Sequence, residues 1–221
     1  MPDERPKADV YVLAGPNGAG KSSVIGAGLT EHGLVFFNPD DAAKRILAEQ
    51  PELTREKANS LGWREGQRLL QEAVDRRERF AFETTLGGRT VTSRLESCLD
   101  TGGEVRMWFV GLESAELCLE RIRARVDAGG HDIPEADVRR RFDSGRENLI
   151  RLLPKLTHLR LYDNSAHGNP ERGDEPAPRH ILRMAKGTLV ELCPPEEVPG
   201  WAKPIAMKAA ALSGVADPPP G

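Results

Sequence analysis

Short apolar runs alternate with longer stretches of helical period along most of this chain. The runs at 10–14, 34–37, 80–82, 105–110 and 159–162 are rich in valine, leucine and aromatic residues, and each reads as a strand. Between them the apolar spacing turns helical: from 21 to about 29, over 41–50, over 90–99, and over 55–77 with Leu61, Leu69, Leu70, Ala73 and Val74 as the apolar side. Gly102 and Gly103 turn the chain into the strand at 105–110, Ser114 caps the next helix, and Pro134 opens another. In the helix after Ser114 the stripe Cys118, Ile122 and Val126 is expected to be buried, with Arg121 and Arg125 on an adjacent face. This alternation predicts an α/β fold: a mostly parallel sheet with helices on both faces, closed by 159–162 as its last strand.

Beyond this point the pattern changes. Residues 166–179 are rich in Gly, Pro, Glu and Arg and predict a mobile loop; 181–192, interrupted by Lys186-Gly187, predicts a small C-terminal hairpin. Residues 201–212 predict a short docking helix, and 217–221 a disordered tail. The expected organisation is a core over 1–165 and an extension over 166–221 packed on the same domain.

The first apolar run leads directly into GPNGAGKSS at 15–23, which fits the phosphate-binding pattern GxxxxGKS in its required strand–loop–helix context. Such a loop presents backbone N–H groups to phosphate oxygens at the positive end of a helix. It predicts a P-loop NTPase whose ATP-binding set is Gly15, Pro16, Asn17, Gly18, Ala19, Gly20, Lys21, Ser22 and Ser23. Lys21 would reach the β- and γ-phosphates, and Ser22 would ligate Mg²⁺.

Charge and cysteine content narrow the setting. A net charge of −3 gives no whole-chain attraction to nucleic acid or to an anionic membrane. Cys98, Cys118 and Cys193 are odd in number and widely spaced, which predicts buried thiols rather than disulfides or a metal site. With no long apolar run or leader-like segment, a cytoplasmic protein is expected.

Three further clusters bear on the chemistry. FFNPDD at 36–41 ends a predicted strand, where open parallel sheets place their ligands. Asp40 there could take a proton from an acceptor hydroxyl or hold the metal, while Asp41 caps the following helix. FETTLGGR at 82–89 ends a central strand; Glu83 and Thr85, projecting to one side of an extended chain, could bind substrate hydroxyls, with Arg89 in the following loop. Finally, Arg121, Arg123 and Arg125, then GGHDIP at 129–134, then Arg139, Arg140 and Arg141 predict an arginine-rich lid on a glycine hinge. Arg125, Arg140 and Arg141 are the candidates for charge stabilisation, and His131 for a hinge or phosphate contact.

Taken in order, GPNGAGKSS, FNPDD, FETTL, RVDAGGHDIP, RRRF followed by Asn148, and YDNS at 162–165 resemble the zeta toxin-like P-loop kinases across residues 10–165. The GGHDIP and NPDD forms resemble a GGH-lid subgroup within them. The resemblance implies transfer of a phosphoryl group from ATP, with Mg²⁺, to a sugar hydroxyl of UDP-N-acetylglucosamine, toxicity, and an antitoxin protein as partner. It implies Asp40 as general base, Glu83 with Thr85 nearby as the substrate-binding carboxylate, Lys21 as the P-loop lysine, and Arg125 with Arg140 or Arg141 as phosphate-binding arginines.

Other readings stay open at this level. A kinase for another small hydroxyl compound, an antibiotic or a free sugar, would carry the same motifs. An ATP-hydrolysing regulatory switch is disfavoured by carboxylates at two strand ends. A nucleic-acid 5′-hydroxyl kinase is disfavoured by the acidic balance.

Overall fold

A computed structural model describes residues 6–22, 36–130, 132–166 and 177–214. Six strands form one sheet in the order β2-β1-β3-β4-β5-β6. β1 (Asp9–Ala14), β2 (Arg79–Thr84), β3 (Glu104–Gly111) and β4 (His158–Asp163) are mutually parallel, while β5 (Arg179–Ala185) and β6 (Thr188–Leu192) run antiparallel. The expected P-loop α/β architecture is therefore present, with one correction. The run at 159–162 does not end the sheet, because the hairpin continues it. Ile181, Leu182 and Met184 of β5 are buried in the same core cluster as Leu159 and Leu161, and that shared apolar face locks the hairpin onto β4. Its two-residue turn uses Lys186 and Gly187 at φ of 50° and 75°, the left-handed pair whose twist matches flanking strands.

The expected strand at 34–37 survives among the described residues as a bridge from Phe37 to Phe82, on the outer side of β2. The Phe37 N–H donates to Ala81 O at 2.8 Å, and the Glu83 N–H donates to Phe37 O at 2.9 Å. Most of the expected helix at 21–29, residues 34 and 35, much of the expected loop at 166–179, and the tail at 217–221 lie outside the described residues.

Helix α1 (Pro39–Glu49) starts two residues before its predicted position. Its cap is Asn38, not Asp41: Asn38 accepts the Asp40 N–H at 2.8 Å, and Pro39 fills the first helical position, where no N–H is needed. Asp41 instead pairs with Lys44. Helix α2 (Arg55–Arg76) buries Ala58, Gly62, Gly66, Leu70 and Ala73. This stripe is rotated from the one expected, leaving Leu61, Leu69 and Val74 only half-buried. Small residues carry the contact because α1 lies close: a Cβ on Gly62 would sit 2.6 Å from Pro39 O, and one on Gly66 2.7 Å from the Phe37 ring.

Helices α3 (Arg89–Asp100), α4 (Ala115–Asp127), α5 (Glu135–Leu152) and α6 (Lys203–Leu212) complete the layers. Val10, Val12 and Ala14 of β1 join one core cluster with residues of α3, α5 and α6, and Leu13, on the alternate face, joins another with α4. Ser114 caps α4 as predicted, accepting the Leu117 N–H at 3.1 Å; Cys118 and Ile122 are buried and Val126 half-buried. Trp201, in a short turn before α6, packs on Gly111 and donates from its indole N–H to Asp163 at 3.0 Å. No helix among the described residues is long and apolar enough to cross a membrane.

Candidate active site

The glycine loop leaves β1 through Gly15, whose φ of 141° and contact with Val110 leave no room for a side chain: a Cβ there would lie 2.1 Å from Val110 O. Gly18, at φ of 80°, also packs closely on α4, where a Cβ would meet Cys118 O at 2.9 Å. The loop closes with the Ala19 N–H donating to Pro16 O at 3.3 Å. Lys21, only 7% exposed, donates to Pro16 O at 3.1 Å and faces Glu83 at 3.5 Å. Ser23 and His131 lie outside the described residues.

Glu83 is the centre of the arrangement. It sits one residue before the end of β2, in register with Leu13 of β1, so parallel pairing delivers its carboxylate to the root of the glycine loop. There it accepts from the Ser22 hydroxyl at 2.6 Å and from the Asn38 amide at 3.2 Å, besides its ion pair with Lys21. Asn38 thus does two things: its Oδ1 starts α1 at Asp40, and its Nδ2 ties that start to Glu83. Asp40, exposed in the first turn of α1, is joined to Glu83 through Asn38 by this link.

Thr85 lies past the end of β2, so strand alternation does not relate it to Glu83; its hydroxyl accepts the Gly87 N–H at 3.4 Å within the turn. Arg89 is not in a loop but is the first residue of α3, because Gly88 supplies the extended cap conformation ahead of it. Helix α5 grips this turn from above. Ser144 donates to Gly87 O at 3.0 Å, Asn148 donates to Leu86 O at 2.7 Å, and Gly145 lets the Thr85 carbonyl approach.

The lid arginines divide by contact. Arg140 and Arg141 both bind Asp137, at 2.8 and 3.2 Å, and Arg141 also packs on Gly87. The hydrogen bond from Arg140, with the charges of both arginines, holds the Asp137 carboxyl below its ordinary range. Arg139 instead joins Glu116 and Glu135, a tie between α4 and α5. Arg125 is exposed in the last turn of α4, where Gly130 caps the helix by donating to Arg125 O at 2.8 Å.

Sequence reasoning missed two contributors. Arg121 lies against Gly18 and donates to Ala166 O at 3.3 Å, so it is the arginine of α4 that borders the loop. Asn164, 5% exposed, donates to Ala19 O at 3.0 Å and so braces the loop from the end of β4; its Oδ1 is buried without a protein partner, as is that of Asn17. YDNS marked the place but not the role, since an amide reaching across the fold leaves no local pattern. The cysteines are free; burial pushes the Cys118 thiol up to about 11 despite the nearby Lys21 and Arg121 charges.

A glycine loop between β1 and a helical turn, at the carboxyl end of a mostly parallel sheet, defines a P-loop NTPase fold. A family model described as an AAA domain matches residues 10–147, more than half of the sequence, and the chain belongs to that family. A Haemophilus influenzae protein described as uncharacterized is 30% identical over 128 residues, 58% of this chain and 88% of its own length. Among solved structures, a chain of the AvrRxo1-ORF1:AvrRxo1-ORF2 complex with sulphate ions aligns at a TM-score of 0.59 and 14% identity, covering 97% of this chain and 66% of that one. The same complex with ATP aligns at 0.54 and 13% identity, again covering 97% of this chain and 66% of that one. The PezAT chromosomal toxin–antitoxin system of Streptococcus pneumoniae aligns at 0.52 and 15% identity, covering 74% and 69%. At such identities the likeness is one of fold, and the chain spans less than two thirds of the AvrRxo1 chain it matches.

Proposed function

We propose that the chain is an ATP-dependent small-molecule kinase that moves the γ-phosphoryl group to a sugar hydroxyl of a UDP-N-acetylglucosamine-type nucleotide sugar. The observation that carries this reading is the meeting of Lys21 and Ser22 with Glu83 and, through Asn38, with the helix start that bears Asp40. The loop fits a triphosphate: Gly15 and Gly18 give it positive-φ turns packed tightly on β3 and α4, and Lys21 is held ready by a carbonyl and a carboxylate. Mg²⁺ fits as well, because the Ser22 hydroxyl and a carboxylate are hard oxygen ligands of the kind it takes together with phosphates. Among the described residues no cluster of three His, Cys, Asp or Glu could hold a metal, so the cation would arrive with the nucleotide. When bound, it neutralises charge on the phosphates.

Asp40 takes the acceptor proton as the new P–O bond forms and the bond to the bridging oxygen breaks. Thr85 and Arg89, at the turn gripped by α5, contact the acceptor, and Arg125, Arg140 and Arg141 close on the transferring group. Arg140 and Arg141 must first exchange Asp137 for phosphate oxygens. The contacts of Glu83 favour a second role beside acceptor binding, that of orienting Ser22 and Lys21. The fold likeness to the PezAT toxin–antitoxin system supports an antitoxin partner and toxicity as part of this reading, and we place the reaction in the cytoplasm.

The test is transfer from radiolabelled ATP with Mg²⁺ to UDP-sugars, free sugars, antibiotics and water. Label on a UDP-amino sugar in wild type, lost in both Lys21→Ala and Asp40→Ala while Asp40→Ala still binds ATP, is the expected result. Phosphate release alone, unchanged by Asp40→Ala, would overturn the kinase reading in favour of a switch.

A further inference from the structure

A second constellation lies on the outer half of the sheet, away from the glycine loop. Between β4, β5 and β6 is a hollow of about 390 Å³ lined by Arg160, Tyr162, His180, Arg183 and Glu191. Alternation puts Arg160, Tyr162 and Arg183 on the face opposite Leu159, Leu161, Leu182 and Met184, which belong to the core cluster containing Ile205 and Ala209 of α6. His180 and Arg183 are three apart, a spacing that regular alternation would send to opposite faces. The register shift at Leu161/Tyr162 brings both into the same hollow.

The charge arrangement breaks a local rule. Arg160 stands directly opposite Arg183 in the antiparallel register, and like charges so placed destabilise a sheet. Glu191, opposite Arg183 on β6, accepts from it at 2.6 Å and neutralises one of the two. Arg160 is exposed and makes no ion pair within 4 Å among the described residues, and it shares the charge of Glu191 only at longer range, behind Arg183 and His180. Two register pairs on, Tyr162 and His180 meet edge to face at 5.3 Å, and their rings line the same hollow as the guanidinium. Departures of this kind from sheet-forming logic concentrate where a ligand supplies the missing partner.

We propose that this hollow binds a phosphate-bearing small molecule of nucleotide size, its phosphate on the Arg160 and Arg183 forks and its body against Tyr162 and His180. The volume falls within the usual range for small-ligand sites, and a planar guanidinium matches two phosphate oxygens at once. Glu191, fixed on Arg183, repels an anion on its own side and so sets the phosphate toward Arg160. A polyanion would extend past these residues onto a chain of net charge −3, which disfavours nucleic acid and acidic protein. Tyr162 is two residues from Asn164, the brace of the glycine loop, but the hollow shares no lining residue with the candidate active site.

The test is calorimetric titration of the full chain with inorganic pyrophosphate and with AMP. Because the glycine loop binds phosphate too, Lys21→Ala is the reference, and one saturable site is expected to remain in it. Adding Arg160→Ala should weaken that site by about tenfold or more, whereas Arg160→Lys, which keeps the charge but not the fork, should weaken it less. In phosphate-free buffer Arg160→Ala and Arg160→Gln should melt no lower than wild type, since each removes one of two like charges. Loss of all saturable binding in Lys21→Ala, or binding indifferent to Arg160, overturns the proposal. So does binding of an acidic peptide or an RNA oligonucleotide at this face without binding of pyrophosphate or AMP.

Discussion

A buried ammonium needs a counter-charge, and Lys21 finds one in Glu83, itself only 15% exposed. The pair fixes both side chains at the root of the glycine loop before any nucleotide arrives. If Glu83 served the acceptor alone, Glu83→Gln would raise the KM for acceptor and leave ATP hydrolysis in water intact. Its contacts with Ser22 and Lys21 argue instead that ATP turnover falls in both reactions, by on the order of 10²-fold, with a higher Mg²⁺ requirement. Steady-state assays across a Mg²⁺ series distinguish the outcomes. Asn164→Ala tests the second brace. It strips the Ala19 carbonyl of its donor, at a cost of about 1–3 kcal/mol, and should lower both the melting temperature and nucleotide affinity in a titration. The meeting of Lys21, Ser22 and Glu83 was legible in the sequence because each lies at or just after the carboxyl end of a predicted strand of one parallel sheet. Asn164 was not, because its partner is 145 residues away.

At the scale of elements, the strands of the parallel half were readable as apolar runs, and the caps at Ser114 and Pro134 fell where predicted. The packing of α2 was not readable, since its burial depends on what α1 brings against it. Gly62 and Gly66, four apart, form the seam that seats Phe37 and Pro39, and with them Asn38 and Asp40. On an isolated helix Gly→Ala would gain roughly 1 kcal/mol in propensity. Here a Cβ on Gly62 would meet the Pro39 carbonyl at 2.6 Å, a backbone atom that cannot rotate aside. Overpacking of that sort costs about 1–3 kcal/mol, so Gly62→Ala is expected to destabilise the protein despite the better helix former. Gly66→Ala meets a half-buried phenylalanine ring and should cost less. Denaturant unfolding ranks the two, and transfer activity should fall with Gly62→Ala because α1 carries Asp40.

Across the whole molecule, the C-terminal hairpin and α6 are as much part of the sheet's core as the strands before them, which joins distant titrating groups to global stability. His158, at the start of β4, has its pKa lowered below the ordinary 6.5, first by burial and then by the charge of Arg106. A depressed folded-state pKa means that the unfolded chain takes up the proton first as pH falls. Stability that is fully present above 6.5 is therefore lost progressively on acidification through the folded pKa. Asp137 and Glu116 are also depressed, by Arg140 and Arg139 respectively, so their contribution is lost only as the pH falls through the ordinary carboxylate values of 3.8 and 4.5 and below, where the ties within α5 and from α4 to α5 loosen. The histidine window opens near 6.5 and the carboxylate one only near 4.5, so a melting series separates their onsets. Wild type should lose melting temperature as the pH falls below about 6.5, and His158→Gln should flatten that limb while leaving the more acidic one unchanged. An unaltered slope in His158→Gln would assign the loss to another histidine and remove β4 from the pH response.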